Sequence, residues 1–169
     1  MKDMKDMKDM KDMKDMKSVP MLVVCCFFFA AFAASSFAAD GLVRLQSNDS
    51  VKITGQRLEK VIKEKGLRLF TRIDHQKGAV SVGKELRPTQ LFVFGNPRAG
   101  TPLMQCRQTI AIDLPQKMLV YEDEQGKTWI VYNDPAYLAS RHGLGDCGAG
   151  VIKKITGILS AVSAAAAGK

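Results

Sequence analysis

Asp74 and His75 stand side by side where an alternating apolar stretch runs out, a carboxylate next to an imidazole. Imidazole titrates near neutrality, so such a pair can serve as a general base or as a metal ligand held by its neighbour. The same pair also suits a turn in which the histidine only hydrogen-bonds the chain. A second place for chemistry is FGNPRAGTPLMQ, Phe94–Gln105, where Gly95 and Gly100 have the spacing of a phosphate-cradling loop. Nucleotide chemistry needs Lys directly after the second glycine, then Ser or Thr for magnesium. Thr101 and Pro102 occupy those positions, which argues against nucleotide hydrolysis here. A milder anion site survives: a helix starting with Thr101 as cap and Pro102 as first residue offers free N–H groups and a favourable dipole, with Arg98 beside it. Read for structure alone, these residues make a strand–turn–helix with no ligand. The candidate ligand-binding set is Asp74, His75, Asn96, Arg98 and Thr101, on the assumption that the strand ends carrying them converge at one end of a sheet.

The other residues able to do chemistry are weaker. His142 closes a helix, where the dipole favours a cation. Asp113, before Leu-Pro, suits a cap or turn, and Tyr132 and Tyr137 need partners for their hydroxyls if their rings are buried. A His75–Met104 pair is the one combination suited to copper or haem iron. Glu122, Asp123 and Glu124 lack the loop pattern of a calcium site and read as a solvated hairpin end. The chain carries no G-x-S-x-G and no H-E-x-x-H. No metal site is expected, and no motif indicates a cofactor. Cys106 and Cys147, 41 positions apart, have three readings: a buried and a loop thiol, a disulfide, or a metal or redox role that lacks CxxC support.

The elements that must position these residues follow from periodicity and turn chemistry. Gly41–Gln46 alternates as a strand, and Ser50 caps a helix that runs to Lys65 and stops at Gly66. Leu67–Ile73 alternates as a second strand ending at Asp74-His75. QLFVFG, Gln90–Gly95, is a continuous apolar strand placed centrally, followed by a helix from Pro102 to about Thr109. Lys117–Glu122 and Lys127–Tyr132 pair across an acidic turn. Asp134-Pro135 opens a helix to about His142. After the glycine-rich HGLGDCGAG, residues Val151, Ile152, Ile155, Ile158, Leu159 and Val162 line one face of a C-terminal helix. The fold class is α+β: one domain, a mostly antiparallel sheet of about five strands, with helices on one face.

The chain has 169 residues and a formal charge of +8; beyond residue 38, nineteen basic and twelve acidic residues leave +7. The basic residues are scattered and lack aromatic interleaving, so no nucleic-acid partner is expected. Residues 1–38 combine an MKD repeat with a signal-like segment, an apolar run from Val19 to Phe32 with a small-residue end at Ser36-Phe37-Ala38. Cleavage is expected after Ala38, with an uncleaved anchor as the alternative, and each repeat methionine up to Met16 offers a start. A periplasmic or secreted protein follows, divided into 1–38, an α+β domain at 39–145, and a glycine-rich loop with amphipathic helix at 146–169.

IDH at Ile73–His75, ELRPTQLFVFGNPRAGTPLMQ at Glu85–Gln105, IDLPQKMLVYEDEQGK at Ile112–Lys127 and YNDPAYLASRHGL at Tyr132–Leu144 together resemble the family known as domain of unknown function 302. The resemblance runs from about Gly41 to Leu144. It implies a compact α+β domain found as a homodimer, and it implies no catalytic residues. Cys106 and the glycine- and cysteine-rich HGLGDCGAG depart from the family's pattern. The leading functional expectation is a non-enzymatic periplasmic module binding a small anionic ligand or an envelope protein. The alternatives are an enzyme with His75 as base and an anion site at Gly95–Thr101, and a structural envelope protein.

Overall fold

The computed structural model describes residues 40–169; the MKD repeat, the signal segment and its cleavage point lie outside the described residues. The strands are β1 (Leu42–Ser47), β2 (Arg68–Asp74), β3 (Thr89–Gly95), β4 (Gln116–Glu122) and β5 (Thr128–Asn133). The helices are α1 (Val51–Glu64), α2 (His75–Ser81), α3 (Pro97–Cys106), α4 (Pro135–Arg141) and α5 (Ala149–Ala167), with a 3-10 turn at Gln108–Ile112. One sheet in the order β1-β5-β4-β3-β2 is antiparallel throughout. QLFVFG is therefore an interior strand, and β4 is the middle one.

Each strand sends alternate side chains to the helices, because the side-chain period of a strand is two. Phe92 and Phe94 of β3, Met118 and Val120 of β4 and Ile130 of β5 are fully buried on that face. They meet Leu58 and Ile62 of α1 and Leu159, Val162 and Ala166 of α5. Each such Leu, Ile or Phe contributes about 1.5–3 kcal/mol relative to an exposed position. Helix α5 is long and apolar enough to cross a membrane by length and composition. In this domain its face from Ile155 to Ala167 completes the core.

The helix ends follow their sequence signals. Ser50 caps α1. Gly66, with positive φ, ends it, as the Gly66 N–H donates to Lys63 O and the Leu67 N–H to Ile62 O. This double closure satisfies carbonyls the helix would leave bare. The same pattern at Gly143 and Leu144 ends α4. Gly41 is required for two reasons: its φ is +67°, and an added Cβ would lie 2.3 Å from the Tyr137 ring.

One local expectation differs, and of the three readings of the cysteines one holds. Asn96, not Thr101, caps α3, because its side-chain oxygen accepts from the Arg98 N–H and Pro97 takes the first helical position. Thr101 and Pro102 therefore lie inside the helix, which ends at Cys106. Cys106 and Cys147 are joined in a disulfide, with Cα atoms 5.9 Å apart, so neither is a free thiol.

Candidate functional site

Three of the five candidate residues come together, and two go elsewhere. Asp74 pairs with Gln90 across the β2–β3 ladder, whereas Arg68 pairs with Gly95. At about 3.3 Å per residue, the Asp74 end of the sheet lies roughly 20 Å from the Gly95 end. Antiparallel pairing causes this: β2 finishes where β3 begins, so the convergence assumed from sequence does not occur. Asp74 also turns its carboxylate away from His75. It caps α2 by accepting from the Lys77 N–H at 3.1 Å, and it lies 3.9 Å from Lys77 Nζ. His75 is exposed, and Met104 lies with the distant loop, so the two cannot share a metal.

At the other end, Asn96, Arg98 and Thr101 line a cavity of about 500 Å³. Its floor is the start of α3; its walls are the N-terminal half of α5, the β2 edge and the turn through Leu114 and Pro115. The β2–β3 register slips between Leu69 and Thr71. This leaves Phe70 as the extra residue of a bulge, a device that re-aims a side chain. Phe70 lines the cavity with Phe94, Met104, Leu114, Ile155 and Ile158. Ile158 is 40% exposed, although helical spacing assigned it to the core.

The start of α3 is not the open anion cradle that the sequence suggested. Pro97 has no N–H, the Arg98 N–H goes to Asn96 Oδ1, and the Ala99 and Gly100 N–H groups donate to Asn96 O. The chain itself therefore occupies the donors of the first turn. Any negative charge bound here must be met by side chains. Arg98 is joined in the lining by Lys65, at the C-terminal cap of α1, and Lys154 of α5. Among the described residues none of the three is ion-paired, and no carboxylate belongs to the lining.

The disulfide belongs to this architecture. Cys106 ends α3, and Cys147 lies just before α5, so the bond ties together two elements that wall the cavity. Gly148, at φ +82°, allows the close passage: an added Cβ would lie 2.7 Å from Leu103.

Sequence reasoning read Asp113 and His142 separately and missed that they meet. His142 Nε2 donates to Asp113 Oδ2 at 2.6 Å, and its Nδ1 lies 3.3 Å from Thr109 Oγ1. Arg141 adds a 3.4 Å contact to Asp113. Lys117 Nζ donates to the carbonyls of Asp113 and Pro115, and its burial pushes its pKa down, against the pull of Asp113. The order hydroxyl–imidazole–carboxylate mimics a hydrolytic triad. Neither Thr109 nor His142 lines the cavity, however, and the cluster joins the 3-10 turn to the end of α4. Its members are 29 and 33 positions apart, with no spacing signal to find them. Tyr132, also named from sequence, is a core ring whose burial raises its hydroxyl pKa, and Tyr137 packs on Gly41. Among the described residues no cluster of three or more His, Cys, Asp or Glu could hold a metal.

The domain has the shape of known proteins. A crystal structure of an uncharacterised conserved DUF302 protein from Bacillus stearothermophilus superposes with a TM-score of 0.68 at 19% identity. The match covers 76% of this chain and 99% of that one, and at this identity it shows the fold alone. Among curated proteins, Fluoride-specific ion channel FluC 1 of Brucella suis biovar 1 is 48% identical over 111 residues, 66% of this chain and 44% of that protein. Fluoride-specific ion channel FluC 1 of Brucella abortus biovar 1 is equally similar, with 41% of its length covered. The chain thus spans less than half the length of these relatives. The model of the domain of unknown function DUF302 matches residues 43–162, which takes in most of α5 as well as the motifs before it. The match over most of the chain shows the family, and the chain belongs to the DUF302 family.

Proposed function

We propose that this chain is an exported, non-enzymatic binding module, and that its site is the cavity at the start of α3. The observation that carries this reading is the cavity itself: about 500 Å³, walled mainly by apolar side chains with a few polar groups at its edge. Small-molecule sites have this size and character. The rival enzyme reading has lost its geometry, since His75 lies at the far end of the sheet without an orienting carboxylate. Export is supported by the signal-like segment before residue 39 and by the Cys106–Cys147 disulfide, a bond that persists in oxidising compartments. The curated relatives are named as ion channels, which fits a module at the cell envelope. Their channel activity is not carried over, because more than half of each relative lies outside the match.

The test is to plug the cavity without harming the fold. Gly100 lies within α3, and a Cβ there would meet only Leu114 and Met104, at 3.7 and 3.9 Å. Gly100→Leu sends a side chain into the space while removing a helix-weakening glycine. The wild type should take up the neutral dye N-phenyl-1-naphthylamine with a rise in fluorescence, and Gly100→Leu should not, at an unchanged or higher Tm. Equal dye uptake by both proteins sinks the assignment.

We further propose a homodimer, as the family resemblance implies. The sheet face opposite α1 and α5 carries Leu91, Val93, Leu119 and Trp129, all only partly covered. A half-covered apolar sheet face of this kind suits association with a second copy.

A further inference from the structure

The cavity's chemistry specifies more than its size. Building on the reading of the cavity as a ligand site, we infer that its ligand is a single-chain anionic amphiphile, an alkyl chain ending in a carboxylate or phosphate. Three observations point to this class. The interior offers Phe70, Phe94, Met104, Ile155, Ile158 and Leu159, which reward methylenes and give nothing to a polar body. The charged lining is of one sign: Lys65, Arg98 and Lys154, all exposed and none ion-paired among the described residues. The first-turn N–H groups of α3 are internally used, so a compact inorganic anion would find no backbone cradle.

The two halves of such a ligand are recognised by different forces. Each methylene moved out of water contributes about 0.8 kcal/mol, so the chain supplies affinity. At roughly 30 Å³ per methylene, about a water's share of the liquid, the cavity of about 500 Å³ has room for roughly sixteen carbons, so a dodecyl chain fits. The head stays at the exposed rim, where cations select its sign without the penalty of burying charge. Lys65 and Lys154 line the cavity and are also exposed, and a long lysine stem can cover apolar surface while its ammonium group stays in water.

The experiment is competition against bound N-phenyl-1-naphthylamine, below micelle thresholds, using sodium dodecanoate, dodecyl phosphate, dodecyltrimethylammonium and butyrate. The two dodecyl anions should displace the dye at concentrations about tenfold lower than the ammonium compound. Butyrate should not compete. Arg98→Glu with Lys154→Glu should remove the preference for anions while dye uptake persists, since the apolar wall is untouched. Dye bound and displaced equally by both signs overturns the anionic assignment and leaves the cavity reading standing. No dye uptake and no competition by any probe overturns both. If the dye is lost only on adding phosphatidylglycerol vesicles, and not with either free amphiphile, the site recognises a bilayer surface and the single-chain assignment fails.

Discussion

At the scale of single residues, the acidic hairpin between β4 and β5 has a measurable pH signature. Burial alone would raise the Asp123 carboxyl. The Trp129 indole N–H, the Lys127 amide and the Gln125 amide all donate to it, at 2.7, 2.8 and 2.9 Å, and together they hold its pKa below the ordinary carboxylate value. A carboxylate with a depressed folded pKa contributes stability above its unfolded pKa and loses it as pH falls through the folded one. The domain should therefore lose part of its stability as the pH drops below about 4. Trp129 is the single tryptophan of the chain, so its emission reports the local event. Asp123→Asn should lower the Tm at neutral pH and flatten the acid limb; an unchanged acid limb would show that other carboxylates set it. Gly41 gives a second prediction. Gly41→Ala meets both a positive φ and the Tyr137 ring, so it should lose about 1–3 kcal/mol in urea unfolding. A loss of a few tenths would mean that the ring moves aside freely.

At the scale of elements, the sequence was legible where signals are local. The Ser50 cap, the glycine stop at Gly66, and the strands at Gln90–Gly95 and Lys117–Glu122 each rest on neighbours close in the chain. The start of α3 was misplaced because two cap-and-proline pairs compete there: Asn96-Pro97 and Thr101-Pro102. The earlier pair prevails, and the later proline is tolerated inside the helix, where it lacks a donor for the Arg98 carbonyl. The candidate site was half legible for a different reason. Asn96, Arg98 and Thr101 share one loop and helix start, whereas Phe70, Lys65 and Lys154 reach the same cavity from three other elements, through a bulge and a helix packing that no spacing encodes. The disulfide is the element-scale device that holds two of these walls together. It closes a 41-residue separation, for which chain entropy alone predicts roughly 4 kcal/mol. Cys106→Ser with Cys147→Ser should lower the Tm and weaken dye uptake together, since α3 and α5 are then held only by packing. A lower Tm with dye affinity unchanged would separate the disulfide's role in stability from any role in shaping the cavity.

At the scale of the whole molecule, the two sheet faces carry different tasks. One face is spent on the core with α1 and α5, and the cavity opens at its Gly95 end. On the other, Leu91 of β3, Leu119 of β4 and Val131 of β5 pair in one row across three adjacent strands, with Val93 and Trp129 on the neighbouring rows. Val131 is 7% exposed, whereas Leu91, Val93, Leu119 and Trp129 are half-buried, so the face is partly covered. A charge placed in the middle of this row should oppose association without entering the core. Leu119→Lys is suitable, since the residue sits between Leu91 and Val131 in register and points away from the helices. Sedimentation should find a wild-type dimer and a Leu119→Lys monomer with the same dye uptake, because the cavity lies on the opposite side of the sheet. A monomer in both cases would remove the dimer proposal and leave the face for a different partner. A dimer in both would place the interface elsewhere, with the α5 surface near Ile158 next to be tested. In that last case dye uptake should fall as protein concentration rises, since the two copies would then cover the mouth of the cavity.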